Sequence, residues 1–379
     1  MKKVGYVTFA DPSDRKSRSG TIYKMREAIE AAGFEVIWIP YRRITGRTFF
    51  YWIWIVLRNL LGTKKWLGGE HYTPIAKGYA KSVDMDLVCQ CDYLFFPFAG
   101  QIYSFMNTNV PLIYFSDATL HLMVGYYWKN LSGKSIRMAE SLDIEGCKKA
   151  LVNIRSSKWA LESTINDCHC APDKCYVLEL GPTIDSKDIL PNSPYNDGPL
   201  QLLFSGIDWN RKGGEIAVEV TEKLIERGFD AHLTVVGPSE CPDVCKDKGF
   251  ISYLGFMDKN SSEGYQNYLD IYRRSHILIL PTTAECAGIV YSEASAFGIP
   301  CYTYDTGGTT NYVINDYNGY AFPINANASV FADKIINDIQ AGRLRIYHEN
   351  ALRLSKEKLS WEAWAKGFAR IMKQVDTVK

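Results

Sequence analysis

Apolar and polar positions along this 379-residue chain alternate between short strand-like runs and helical stripes. Val4 to Phe9 reads as a strand, followed by a polar, glycine-containing loop from Asp11 to Gly20. Ile22, Met25, Ala28, Ile29 and Ala32 then recur at the three-to-four-residue spacing of one helix face. Gly33 supplies the C-terminal cap. Glu35 to Ile39 is the next strand, and further strands are expected at Tyr93 to Phe96, Leu112 to Phe115, Leu151 to Ile154 and Tyr176 to Leu178. Strands alternating with helices imply a parallel sheet covered by helices.

Pro191 to Pro199 packs three prolines, a glycine and polar residues into one stretch, which reads as a linker. A second series follows it. Strands are expected at Leu200 to Phe204, Ala231 to Val236, Ile277 to Leu280 and Cys301 to Tyr304, with helices at Gly214 to Arg227 and Ala287 to Phe297. Helical patterning dominates from Ser329 onward. A single core rarely grows beyond about 250–300 residues, so two domains are expected. They are residues 1–190, a linker at 191–199, residues 200–358, and a C-terminal helix over 359–379 that packs back on the first domain.

Composition narrows the function classes. Hydrophobic residues are 46% and charged residues 22%, which excludes a disordered chain. A net charge of +1 offers no bulk attraction to nucleic acid, so no nucleic-acid partner is expected. The first residues do not read as a secretory signal, and no apolar run of about 20 residues exists to span a membrane. A cytoplasmic chain with reduced thiols is therefore expected. Cys168, Cys170 and Cys175 are the densest cysteine group, with His169 among them. Their spacing lacks the paired C-x-x-C of common zinc sites, so buried structural thiols and no metal are expected. Phe49 to Leu61 is an apolar, aromatic helix flanked by Arg42, Arg43, Arg47, Lys64 and Lys65. Two readings stand: a core helix of the first domain, or a helix lying on the inner face of a membrane.

Two segments carry candidate chemistry. In the first, Phe204 to Gly214, a strand runs into Gly206, and Arg211 and Lys212 precede a double glycine. Adjacent cations there can neutralise a diphosphate. In the second, Thr283 to Pro300, Glu285 lies in the loop after a strand and Glu293 lies within the helix that follows. Free N–H groups at the helix start can receive phosphate, with the small Ala287 and Gly288 allowing close approach. Glu285 and Glu293 read either as acceptors for sugar and ribose hydroxyls or as a helix cap and a solvated helix residue. Ser116, Asp117, Thr119 and His121 follow the strand Leu112 to Phe115, where open parallel sheets place ligands. The alternative for that pair is Asp117 as a helix cap and His121 as a half-buried helix residue. Neither half has G-x-G-x-x-G after its first strand, which disfavours nicotinamide and flavin cofactors.

In order along the chain stand FSG…RKGG, LTVVG ending at Gly237, ISYLGF, and the glutamate pair with its G-x-P, Gly-Gly and N-G turns. This series resembles the retaining glycosyltransferases of the family-4 type (glycosyl transferases group 1), from about Leu202 to Phe322. The resemblance implies an α/β chain of two Rossmann-like domains facing across a cleft, the GT-B fold. It implies a nucleotide sugar donor as co-substrate, a saccharide or lipid-linked acceptor, and neither cofactor nor metal. By position, Arg211 and Lys212 hold the diphosphate, with Gly206, Gly237, Gly288 and Ile289 around it. Glu285 meets the sugar and Glu293 the ribose. Gly20 lets donor and acceptor approach, and Asp117 or His121 contacts the transferred sugar or the acceptor. Ala287 stands where the family often has Phe, which leaves the shape of the sugar pocket open. Two other functions fit the same fold: a nucleotide-sugar epimerase, and a non-catalytic nucleotide- or glycan-binding protein.

Overall fold

The computed structural model describes residues 1–15, 20–42 and 46–378. Arg43 and part of the Asp11 to Gly20 loop lie outside the described residues. The chain forms two compact units, one of Met1–Leu178 with Ala365–Lys379 and one of Glu179–Trp364.

In the first unit, β1 (Lys3–Thr8), β2 (Glu35–Pro40), β3 (Tyr93–Pro97), β4 (Leu112–Ser116), β5 (Val152–Arg155) and β6 (Cys175–Val177) form one parallel sheet. Its order is β2-β1-β3-β4-β5-β6. Every residue of β3 and β4 is buried, which is why both read as unbroken apolar runs rather than alternating ones. The chain returns to this unit at Ala365. There Phe368 packs edge-on against Phe34 and Phe95, and Asp376 pairs with Lys2 at 2.6 Å.

In the second unit, β7 (Leu200–Ser205), β8 (Ala231–Val236), β9 (Ile251–Gly255), β10 (Ile277–Leu280), β11 (Cys301–Tyr304) and β12 (Gly319–Phe322) are again all parallel. Their order is β12-β11-β10-β7-β8-β9. The Pro191 to Pro199 stretch is irregular but anchored. Asn192 donates from its backbone to Phe297 O at 3.0 Å and from its side chain to Tyr272 O and Ser275 O. It belongs to the second unit, and the division falls at Leu178/Glu179. Proline and glycine mark irregular backbone there, not a free tether.

Two of the helices that the pattern did not announce show why. Gly133–Lys149 buries Ser135, Asp143 and Gly146 beside Ala139, Leu142 and Cys147, so half of its inward face is polar or small. Ser262–Arg274 buries two tyrosines, Tyr268 and Tyr272, with Leu269 and Ile271. The helix expected at Ala287 begins at Ile289, with Gly288 as its N-cap.

The core reading of Phe49 to Leu61 does not hold. In the helix Arg47–Leu61 only Thr48 and Ile55 are buried. Phe50, Leu60 and Leu61 are 69%, 75% and 85% exposed, and Phe49, Tyr51, Ile53, Trp54, Val56 and Leu57 are exposed as well. No helix among the described residues is long and apolar enough to cross a membrane.

Candidate active site

In the second unit the direction of chain crossing reverses between neighbours β7 and β10. The connections after these two strands therefore run to opposite faces and open a crevice beyond their carboxyl ends. Leu202 and Leu203 of β7 pair with Ile277 and Leu278 of β10, so the two following loops emerge side by side. The first loop carries Arg211 and Lys212, the second Glu285 and Gly288.

Local bonds fix the first loop. Asp208 caps the turn Trp209–Lys212 by accepting from Arg211 N at 3.1 Å. The Arg211 carbonyl accepts from Thr283 N at 2.8 Å and from the hydroxyls of Thr282 and Thr283. Its guanidinium donates to Ala284 O at 2.8 Å and pairs with Asp208 at 3.3 Å. Arg211 thus staples the two loops together. The Lys212 ammonium forms an ion pair with Oε2 of Glu285, and each of these side chains is only 12% exposed. Such a pair holds both charges in place, because removing either leaves the other desolvated and unpaired.

Glycines make this approach possible. Gly213 has φ 75°, and a Cβ there would sit 2.1 Å from Pro281 O. At Gly206 a Cβ would lie 2.9 Å from Cγ of Lys212, and at Gly237 one would meet the Gly206 backbone at 2.5 Å. The second loop ends at Gly288, whose carbonyl accepts from Tyr291 N and Ser292 N. The N–H groups of Ile289 and Val290 find no acceptor among the described residues, so the helix presents them as anion donors. The Glu285 carbonyl accepts from Gly308 N at 2.9 Å, which ties in the Gly-Gly loop.

Glu293 has surroundings of its own. It is 2% exposed, so it is neither a solvated helix residue nor an empty acceptor. Oε1 accepts from Thr183 Oγ1 at 2.5 Å and from Lys259 Nζ at 3.3 Å; Oε2 accepts from Tyr268 OH at 2.8 Å and Tyr272 OH at 3.2 Å. Burial alone would raise its carboxyl pKa. Lys259 and the donors from Thr183 and Tyr268 outweigh burial and hold it below the usual carboxylate value. Burial pushes the Tyr268 phenol up to about 12, so it remains a donor. Thr183, Lys259, Tyr268 and Tyr272 were not singled out from sequence. The only signal was the i, i+4 tyrosine pair, which reads equally well as core.

The first unit is less complete. Gly20 is buried with φ 86° and caps the helix Thr21–Ala31. Asp117 is half-buried beyond β4, but Thr119, not Asp117, caps the short helix Leu120–Met123. His121 is exposed, not half-buried. Nδ1 lies 3.4 Å from Glu140 Oε1, and Nε2 lies 4.0 Å from Asp167 Oδ1.

Residues 185–351 match the family model of glycosyl transferases group 1. An uncharacterized glycosyltransferase of Methanocaldococcus jannaschii is 25% identical over 186 residues, 47% of this chain and 45% of that protein. The UDP-Gal:alpha-D-GlcNAc-diphosphoundecaprenol alpha-1,3-galactosyltransferase of Escherichia coli is 22% identical over 241 residues, 58% of this chain and 61% of that one. This chain thus spans about half the length of the curated relatives it matches. Sucrose-phosphate synthase from Thermosynechococcus elongatus superposes with a TM-score of 0.69 at 15% identity, covering 100% of both chains. Residues 185–351 are therefore similar to glycosyl transferases group 1, on a chain with the GT-B fold.

Proposed function

We propose that the chain is a glycosyltransferase that moves a sugar from a nucleoside diphosphate sugar to an acceptor hydroxyl, with retention and without a metal at the donor. The observation that carries this reading is the Lys212–Glu285 pair at the β7/β10 crevice, beside the free N–H groups of Ile289 and Val290. A diphosphate at the helix start meets those N–H groups and the charges of Arg211 and Lys212. Glu285, held by Lys212, accepts hydrogen bonds from hydroxyls of the attached sugar. Glu293 serves the ribose, whose hydroxyl takes the place of Thr183 or Lys259 at Oε1.

The bond from the anomeric carbon to the diphosphate oxygen breaks as the acceptor oxygen bonds to that carbon. The fixed cations stabilise the leaving charge. The departing phosphate oxygen takes the acceptor proton on the face it leaves, so the configuration is kept and no protein nucleophile is required. Asp117 and His121 are assigned to the acceptor. The exposed apolar helix Arg47–Leu61, with exposed Arg42, Arg47, Arg58, Lys64 and Lys65 around it, fits an anionic membrane surface and a lipid-linked acceptor. The Escherichia coli relative's named acceptor is of that kind.

The test is Glu285→Gln, assayed with nucleoside diphosphate sugars and titrated with the free nucleoside diphosphates. A lost charge-assisted bond of about 1.5–3 kcal/mol should lower turnover about 10- to 150-fold and leave free-nucleotide affinity intact. Unchanged turnover would remove Glu285 from the sugar end.

A further inference from the structure

The Glu293 carboxylate is closed on one side and approachable on the other. Its Oε2 side is covered by the hydroxyls of Tyr268 and Tyr272, both buried residues. Its Oε1 side faces Thr183 and Lys259. The Lys259 side chain is 32% exposed against 2% for Glu293, and Thr183 is half-buried. A ligand therefore reaches the carboxylate past these two residues. Both are fixed by their neighbours. Lys259 sits in a turn where Asp258 accepts from Asn260 N at 2.9 Å and from Ser261 N at 3.0 Å. Thr183 lies in a segment whose Leu180 O accepts from Ser292 Oγ at 2.6 Å and whose Asp185 N donates to Tyr265 OH at 3.1 Å.

The second observation is what the Thr183 hydroxyl does. It donates to Glu293 Oε1 and accepts from Lys259 Nζ at 2.7 Å, while Nζ itself lies 3.3 Å from Oε1 and 4.8 Å from the Tyr268 ring centre. One neutral hydroxyl thus bridges the carboxylate and the ammonium, which is the pattern a ribose hydroxyl would adopt there. Lys259 is the one cation paired with Glu293 among the described residues. Burial alone would lower its pKa; the Glu293 charge outweighs burial and holds the ammonium above the usual lysine value. A ribose is neutral. If it displaced Lys259, the buried carboxylate would lose its counter-charge, the strongly destabilising way to break such a pair. If it displaced Thr183, one hydroxyl would replace another and the charges would stay balanced.

We propose that Lys259 is a direct ribose contact that selects ribonucleoside over deoxyribonucleoside diphosphates, and that Thr183 is the residue that yields its place at Glu293 when the nucleotide binds. This rests on the placement of the ribose at Glu293 given above. One ribose hydroxyl donates to Glu293 Oε1 in place of Thr183. Lys259 stays paired with Glu293 and turns the donor freed from Thr183 to the oxygen of the vicinal hydroxyl. An ammonium has three donors, so it can serve the carboxylate and the hydroxyl together. Loss of either hydroxyl then leaves a charged group without its partner, which is how a site built to bond a hydroxyl rejects the analogue that lacks it.

The test is calorimetric titration of the full chain with uridine, guanosine and adenosine diphosphates, then with the 2′-deoxy and 3′-deoxy analogues of the tightest binder. The wild type should bind each analogue about 10- to 100-fold more weakly than the ribonucleotide. Lys259→Met should bring one of these two ratios close to one and leave the other, read by Glu293, in place. A lysine that only supports the fold would scale all three affinities together and leave both ratios unchanged, and that result overturns the assignment. Thr183→Val should tighten ribonucleotide binding, because no hydroxyl then has to leave Oε1; unchanged or weaker binding overturns the exchange. If Lys259→Met does not fold, the wild-type ratios and Thr183→Val decide, and equal binding of the ribonucleotide and both analogues rejects the contact. Failure of the folded wild type to bind any of the three ribonucleotides is a different result: it rejects the donor-site reading itself, and this assignment with it.

Discussion

The two units are alike in architecture and opposite in where their polar groups are invested. Both are six-stranded parallel sheets, and each has one point where the crossing direction reverses. In the second unit that point, between β7 and β10, holds a partly buried ion pair, a guanidinium staple and free helix N–H groups. In the first unit the reversal lies between β1 and β3, and the buried polar network sits away from it, around Asp143, Arg155, Cys147 and Cys168. One unit gathers charge at its strand ends. The other gathers buried charge inside its body, around Asp143 and Arg155. The difference teaches that a shared sheet topology locates a candidate site but does not fill it; the loop residues do.

The largest expected effect breaks the second unit's half of this contrast. Changing Arg211 and Lys212 together to Ala removes two charge-assisted contacts worth about 1.5–3 kcal/mol each. Transfer should fall on the order of 10²- to 10⁴-fold, with nucleoside diphosphate affinity weakened in parallel. Calorimetric titration checks the affinity, and wild-type binding by the folded double variant would show that the crevice is not the donor site.

Glu293→Gln comes next and separates a ligand carboxylate from a fastener within the same unit. The amide cannot balance Lys259, so breaking this buried pair should cost about 3–5 kcal/mol of stability near neutral pH. The sign with pH follows from the depressed carboxyl pKa. A depressed folded-state pKa stabilises above the unfolded value and loses that contribution as pH falls through the folded value. The stability gap between wild type and variant should therefore be constant above about pH 5 and narrow in more acidic solution. Melting points measured across this range check it, and a gap that widens in acid would contradict the assigned charge state.

How much of this was legible in the sequence depends on contiguity. Arg211 and Lys212 follow β7 closely in the chain and Glu285 follows β10 closely, so the pattern alone places each at a strand end. Glu293's partners come from residues 183, 259, 268 and 272, which only the fold assembles. Helix Gly133–Lys149 escaped notice because its buried face carries Ser135, Asp143 and Gly146. The same polar face is what builds the first unit's interior network. Arg47–Leu61 was legible as a helix but not as a surface. Apolar composition predicts burial by default, and only the packing shows that nothing in the described structure covers its outer face.

That helix gives the smallest effect on stability and the cleanest separation from the core. Phe50, Trp54, Leu57 and Leu61 recur at i, i+4, i+7 and i+11, so they share one exposed face. Replacing Phe50, Leu57 and Leu61 by Ser removes apolar surface that is already in water, and each exposed change should alter stability by about 0.5 kcal/mol or less. If the face lies on a membrane, the triple variant should lose sedimentation with anionic vesicles while its melting point barely moves. Salt should weaken the wild type's binding by screening the arginines and lysines. Ile55→Ala is the converse probe. Ile55 is buried, so the change should cost about 2–5 kcal/mol and leave vesicle binding of the folded protein unchanged. Equal vesicle binding by wild type and triple variant would assign the exposed face to something other than a membrane. A large loss of stability in the triple variant would mean that the face is covered within the protein.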